Sequence, residues 1–293
     1  MYQKILVPLD GSKPAEAVLP YTRELAKGLG SQITLISVLP TGSQKGKAQY
    51  KHLHQFYMQE MLKSLKIKEL IINSVILSGE PAEIIADYAQ KKGVNLILMG
   101  TRGRSALKRW VLGSVADKVI SLVKIPVALV ATSEDNEYFS QMRNVFRKSL
   151  IVLDGLAESE VVIPYAEELT SSFKMEVTLL QVVEQAYEFY DGMEDYSSIP
   201  VSNRAMGVIK AKARRYLNEM AGRLEGTRIK TRVEVAKGKP AETIIQVASE
   251  IGTDTLFLAT RGRSGLSRWF FYSIRDDAVN IGNILVLLVS IPE

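Results

Sequence analysis

The chain has 293 residues, a length that suits one large domain or two domains of about 150 residues each. It has no cysteine, which excludes disulfides and thiolate metal sites, and no apolar run of about 18 residues, so no membrane span is expected. The N-terminus lacks the layout of a signal peptide, and we expect a cytoplasmic protein. The net charge of +5 is mild and does not by itself indicate a nucleic-acid partner.

The first half of the sequence alternates strand and helix patterns. Short, continuously apolar runs predict buried strands over Ile5–Leu9, Ile33–Val38, Ser74–Leu77, Leu96–Met99 and Val127–Val130. Helical spacing predicts helices over Ala15–Leu29, Gln49–Leu65, Pro81–Lys92 and Ser114–Leu122. This alternation predicts an α/β fold, a parallel sheet with helices on both faces. Ligands of such sheets bind beyond the carboxyl ends of the strands, where Asp10, Val38 and Gly100 lie.

The second half of the sequence repeats the first. The apolar run that ends at Asp10 matches the run that ends at Asp154, and Pro81 lies in a motif that recurs around Pro240. Extra residues around Ala186–Asn203 are predicted to form a loop. Self-similarity over this length indicates duplicated domains rather than a solenoid. We therefore predict tandem domains over residues 1–132 and 147–293, joined by a linker over residues 133–146.

A glycine-rich string follows the fourth predicted strand. It reads Gly100-Thr-Arg-Gly103, then nine residues, then Gly113-Ser114, and it opens into a predicted helix. Glycine lets a ligand approach the backbone, and free amides at a helix start favour an anion. The string therefore predicts a phosphate-binding loop, with Arg102 and Arg104 as counter-charges. The alternative is a glycine-rich loop needed only for tight strand–helix turns.

The second copy carries an altered version of this string. Ala259 and Tyr272 replace two of its glycines, whereas Gly262 and Ser273 are kept. The ring of Tyr272 would occupy the space beside the phosphate position. We hypothesise that the second copy binds a triphosphate weakly or not at all.

These motifs resemble one known family. The glycine string, the segment Val7-Pro8-Leu9-Asp10-Gly11-Ser12 and the closing Ile125-Pro-Val-Ala-Leu-Val resemble the universal stress protein family, as a tandem pair of family domains over nearly the whole chain. The resemblance implies two five-stranded domains of an adenine nucleotide alpha hydrolase-like or flavodoxin-like variant of the Rossmann fold. It also implies that the copies pair face to face through their final strands, Val127–Val130 and Leu285–Val289. Further self-association into a homodimer stays open.

The resemblance also implies a ligand and its contacts. ATP or another adenine nucleotide would bind in the first copy, with Mg²⁺ held through the phosphates. Residues after the first two strands would lie near adenine and ribose, and the glycine string would approach ribose and phosphates. The implied contacts are Pro8, Leu9, Asp10, Val38, Met99, Gly100, Arg102, Gly103, Gly113, Ser114, Val115 and Ala116.

The implied function is an ATP-binding stress-response module whose glycine loop, ordered by ATP, alters a surface that an unknown protein partner reads. The alternatives are a slow ATPase or phosphotransferase, and a scaffold without ligand. Glu80 and Asp117 are unsupported candidates for a catalytic base. Ser12 and Ser114 are predicted to cap helices. His52 and His54 point about 200° apart on a helix, so they are predicted to be surface or core residues rather than metal ligands.

Overall fold

A computed structural model describes residues 1–40, 47–65, 70–101, 112–130, 145–184, 187–188, 199–200, 202–225, 229–260 and 284–291. Within these residues the chain forms two consecutive α/β halves that share one sheet of ten strands. The α/β fold with two repeated halves, predicted from the sequence, is confirmed.

The first half follows the predicted alternation closely. The strands are β1 (Lys4–Pro8), β2 (Gln32–Leu39), β3 (Ile72–Ser78), β4 (Leu96–Gly100) and β5 (Val127–Val130). The three central strands, β1, β4 and β5, are almost entirely apolar and mostly buried, because helices cover both faces of the sheet, whereas the edge strand β3 carries exposed polar residues. The helices are α1 (Lys13–Glu16), α2 (Leu19–Leu29), α3 (Lys47–Ser64), α4 (Pro81–Lys92) and α5 (Ser114–Leu122).

The second half repeats this order with one insertion. Its sheet strands are β6 (Lys148–Val152), β7 (Glu176–Val183), β10 (Thr231–Lys237), β11 (Thr255–Thr260) and β12 (Leu285–Ser290). Its helices are a 3₁₀ helix (Ala157–Val162), α6 (Ile163–Phe173), α7 (Asn203–Glu225) and α8 (Pro240–Ile251). The insertion, predicted to be a loop, contains two short strands that pair antiparallel, β8 (Tyr187–Glu188) and β9 (Ile199–Pro200).

The strands lie in the order β10-β7-β6-β11-β12-β5-β4-β1-β2-β3. Within this sheet the strands of each half run parallel to one another. The halves meet where β5 and β12 pair antiparallel, with Val130 opposite Leu285 and Val127 opposite Leu288. The final strands therefore pair as the resemblance implied, but edge to edge in one continuous sheet rather than face to face.

The predicted helix over Ala15–Leu29 is wrong in one respect, because it is broken into α1 and α2. Pro20 lies in the first turn of α2 and has no N–H to donate to the preceding turn. Pro164 takes the same place in α6, and there the preceding turn is the 3₁₀ helix. The proline thus marks the start of a helix in both copies.

Aromatic side chains fill the seam between the halves. The rings of Tyr2 and Tyr165 meet edge to face at 6.2 Å, and those of Tyr21 and Phe146 at 6.0 Å. Phe146 also packs on Phe173 with ring centroids 4.6 Å apart. Phe146, the last residue of the predicted linker, is thus a core residue; residues 133–144 of that linker lie outside the described part of the chain. The domain boundaries stay a prediction.

None of the helices in the described part of the chain combines the length and the apolar character that crossing a membrane requires.

Candidate functional site

A cavity opens at the carboxyl ends of the strands in the first half. From β1 the chain proceeds outward to β2 and β3 and then returns to the other side of β1 for β4, so the strand order reverses between β1 and β4. The cavity is lined on both sides of this reversal, by Asp10 after β1 and by Gly100 at the end of β4. Its volume is about 270 Å³, close to the lower limit of about 300 Å³ for small-molecule sites.

The structure brings most of the predicted contacts together in this cavity. Its lining includes ten of the twelve, namely Pro8, Leu9, Asp10, Val38, Met99, Gly100, Gly113, Ser114, Val115 and Ala116. The other two, Arg102 and Gly103, lie outside the described residues, as does Arg104. Ligand contact by any of the twelve stays a prediction.

The start of α5 lines the cavity with Gly113, Ser114, Val115 and Ala116. Gly113 is the N-cap residue, in extended backbone geometry, and glycine has no side chain with which to cap the helix. The helix consequently begins without a side-chain cap. Since the first amides of a helix have no partner within it, the N–H groups of Ser114, Val115 and Ala116 form a donor set with the positive end of the helix dipole.

One expectation about this helix start is wrong. Ser114 does not cap α5, because it is the first helical residue and Gly113 takes the cap position. The amide of Gly113 donates to the carbonyl of Thr101 at 2.7 Å. This hydrogen bond ties the two ends of the glycine loop together. Gly113 therefore shapes the loop, and the donors begin at Ser114.

Thr101 contributes a group that the sequence did not point to. Its side chain is 1% exposed and the residue lines the cavity. Within the described part of the chain its hydroxyl has no hydrogen-bond partner. A buried hydroxyl without a partner costs about 1–3 kcal/mol, so this atom favours a ligand that supplies one.

A tight turn orients Asp10 at the end of β1. One carboxylate oxygen of Asp10 accepts hydrogen bonds from the Ser12 amide at 3.0 Å and the Ser12 hydroxyl at 2.6 Å. Gly11 makes the turn possible with a φ of 82°, a region that glycine enters without strain. Ser12 also accepts from the amide of Ala15, which confirms its predicted capping role. The turn holds Asp10 half-buried in the wall of the cavity.

The two histidines have different surroundings. His52 is exposed, whereas His54 is 6% exposed and lines the cavity. The Nδ1 atom of His54 lies 3.0 Å from the hydroxyl oxygen of Ser37, a fully buried residue on β2. The burial of His54 had a weak signal in the sequence, since His54 is four residues before the buried Met58 on the inner face of α3. In the described part of the chain no three His, Cys, Asp or Glu side chains group as metal ligands would.

The corresponding edge of the second half has a different arrangement. Gly155 repeats the turn with a φ of 86°, and a carboxylate oxygen of Asp154 accepts from the Leu156 amide at 2.9 Å. Gln181 stands where the first half has Ser37, and its side-chain amide donates to the carbonyl of Asp154 at 3.0 Å. The residues of the altered glycine string, Gly262, Tyr272 and Ser273, lie outside the described part of the chain.

Fold and cavity together define a duplicated α/β protein with a ligand-sized cavity at the strand-order reversal of its first half. The model of the universal stress protein family matches residues 1–131 and 146–290. A universal stress protein of Methanocaldococcus jannaschii is 31% identical over 140 residues, covering 44% of this chain and 82% of that protein. One from Bacillus subtilis is 31% identical over 150 residues, covering 44% of this chain and 99% of that protein.

A solved structure extends the similarity to both halves at once. The crystal structure of a universal stress protein from Archaeoglobus fulgidus has a TM-score of 0.68 and 19% identity, covering 99% of this chain and 97% of that one. This likeness shows the shared fold. The chain belongs to the universal stress protein family, whose model matches both of its halves.

Proposed function

We propose that the first half of the chain binds an adenine nucleotide such as ATP and that the protein acts as a nucleotide-responsive module in a stress response. The observation that carries this proposal is the start of α5, which opens into an apolar cavity without a side-chain cap. Three backbone amides in a row, reinforced by the helix dipole, are a suitable site for a phosphate. The family to which the chain belongs supports the second part of the proposal.

The cavity divides into two chemically different ends. Beside α5, the amides of Ser114, Val115 and Ala116 would hold the phosphates, together with the predicted contacts Arg102 and Gly103. Away from α5 the wall is mostly apolar, as a nucleoside requires. Asp10, which lines the cavity, would accept hydrogen bonds from ribose. Mg²⁺ would be carried by the phosphate oxygens, the usual arrangement for a cation that keeps several waters.

A proline substitution tests the amide donors directly. Ser114 is the first helical residue, where proline is well tolerated, and Gly113 before it has φ −70° and ψ 154°, the geometry favoured before proline. Ser114→Pro therefore removes one N–H and leaves the helix in place. By titration calorimetry we expect ATP affinity to fall about 10- to 150-fold, the value of a hydrogen bond to a charged group.

Two controls make this test specific. Ser114→Ala removes the hydroxyl and keeps the amide, so its ATP affinity should stay within about threefold of the wild type, as for an exposed hydroxyl. Adenosine, which has no phosphate, should bind Ser114→Pro and wild type equally. Equal ATP affinity for Ser114→Pro and Ser114→Ala would contradict a phosphate site at α5.

Stoichiometry tests the restriction to the first half. We expect one nucleotide per chain, because Gln181 bonds to the backbone of its own crevice and Tyr272 replaces a glycine of the string. Two equivalent ATP sites would contradict this. Mass spectrometry of the purified protein would identify a co-purified nucleotide, and phosphate release assayed in the same samples would distinguish a binding module from a slow ATPase.

A further inference from the structure

We infer that His54, held by Ser37, contacts the nucleoside end of the ligand; this inference rests on the proposed nucleotide site. His54 lines the cavity and is 6% exposed. A buried polar side chain is retained at a cost unless it makes hydrogen bonds. The hydroxyl of Ser37 makes one such bond with Nδ1 of His54, and this bond fixes the orientation of the imidazole ring.

The position of His54 assigns it to the nucleoside rather than to the phosphates. Ser37 is on β2, whereas the amide donors begin α5, the helix between β4 and β5. In the sheet β2 and β4 are separated by β1, so the two groups lie on opposite sides of the strand-order reversal. The phosphates would be at one side, and His54 stands at the other.

The faces of the sheet separate the two groups as well. The side chain of Met58, which lies one turn after His54 on α3, packs in the core cluster with Tyr21 of α2. Ala116 of α5 packs in the cluster on the opposite face, with Ile85 of α4. The cavity extends over the edge between these faces, because its lining includes both His54 and Ala116.

The second half lacks this pair of residues. Tyr57 and Met61 of α3 match Tyr216 and Met220 of α7, and this register places Ala213 at the position of His54. Ala213 is buried. Gln181 replaces Ser37 and bonds to the carbonyl of Asp154. The histidine and its serine therefore occur together in the half that has the proposed site, and both are replaced in the other half.

The chain offers a direct spectroscopic test, because it contains two histidines. The imidazole proton resonances can be assigned by NMR with a single His52→Ala variant. Adenosine, added to the full chain at saturation, is expected to shift the His54 resonance and leave that of His52 unchanged. If calorimetry shows that adenosine binds while the His54 resonance does not move, the inference is wrong.

Calorimetry with four ligands gives an independent test. His54→Ala, which introduces the residue of the second half, should weaken ATP, ADP, AMP and adenosine by a common factor of about tenfold, the value of one hydrogen bond in a buried site. His52→Ala, two residues away on the same helix, should change none of them. A loss confined to the phosphorylated ligands, or no loss, would overturn the inference.

Ser37 is inferred to position the ring. Ser37→Ala should weaken all four ligands less than His54→Ala does, and it should have no further effect in the His54→Ala background. Additive losses would contradict this positioning role. His54→Gln keeps a side-chain N–H and serves as a second variant in case His54→Ala fails to fold. It should bind the four ligands more tightly than His54→Ala does. If the wild-type chain binds none of the four ligands, the proposed function itself fails, an outcome distinct from all those above.

Discussion

Asp254 offers a stability test whose size can be worked out from the structure. Its two carboxylate oxygens accept hydrogen bonds from the backbone amides of Arg147 and Lys148 at 3.1 to 3.2 Å. Burial raises the pKa of Asp254 from 3.8 to about 6, although these amides and the charge of Arg147 lower it. In the first half the matching residue is Asn95, whose side-chain oxygen accepts from the amide of Lys4 at 3.0 Å.

Asp254→Asn removes this titration. Below pH 3.8 the carboxyl group is protonated in folded and unfolded chains alike, so its burial carries no charge penalty there. Between pH 3.8 and about 6 the folded chain keeps a proton that the unfolded chain has lost, so the free energy of unfolding falls as the pH rises. A rise from 3.8 to about 6, at about 1.4 kcal/mol per unit, costs the wild type roughly 3 kcal/mol above pH 6.

Urea denaturation of both proteins at several pH values between about 4 and 8 measures this difference. Relative to the wild type, Asp254→Asn should gain stability as the pH rises, up to roughly 3 kcal/mol, because an amide oxygen can replace the carboxylate as acceptor, as Asn95 shows. The control Asp87→Asn breaks an exposed ion pair with Lys91 and should change stability by less than about 1 kcal/mol at every pH. A difference between Asp254→Asn and wild type that is flat with pH, or that grows towards acid, would refute the reasoning.

Three further predictions concern the seam and the cavity. A Cβ at Gly28 would clash with the ring of Phe173, so Gly28→Ala should lower the free energy of unfolding by about 1–3 kcal/mol. Gly207→Ala, whose Cβ would meet no atom of the described residues within 4 Å, should instead raise it by about 0.5–1 kcal/mol. If urea denaturation showed the same change in unfolding free energy for both substitutions, the tight packing of Gly28 on Phe173 would be contradicted. Thr101→Val should stabilise the ligand-free protein by about 1 kcal/mol, because it removes a buried hydroxyl that has no partner among the described residues. It should also weaken ATP affinity about threefold or more, because the hydroxyl would bond to the ligand. Thr260→Val, the matching substitution in the second half, should stabilise the ligand-free protein by about the same amount and leave ATP affinity unchanged. Finally, chelation of Mg²⁺ by EDTA should weaken ATP and leave adenosine unchanged in calorimetry, and equal weakening of both would contradict a phosphate-held cation.

Much of the fold could be predicted because the local patterns agree with the tertiary structure. Pro81–Lys92 and Ser114–Leu122 have the predicted bounds, since a proline or glycine marks the start of each helix. The break before Pro20 also had a local cause, but helical spacing on both sides of the proline concealed it. The edge-to-edge meeting of β5 and β12 had no local signal, because apolar strands buried in a sheet look alike whichever neighbour they pair with.

The candidate cavity was predictable to the extent that glycines and strand ends mark it. Asp10 and Gly113 follow from such markers, but the hydrogen bond from Gly113 to Thr101 depends on how the loop closes. The contact between His54 and Ser37 joins a helix to a strand 17 residues earlier in the chain. Periodicity could place His54 on the inner face of α3, but it could not show that this face reaches the cavity.

The antiparallel pairing of β5 and β12 fixes how the two functional edges of the sheet are oriented. Since the sheet strands of each half run parallel to one another, reversing one half relative to the other turns the edge beyond Asp10 and the edge beyond Asp154 in opposite directions. A macromolecule docked over the edge beyond Asp10 would therefore leave the edge beyond Asp154 exposed on the opposite side of the chain.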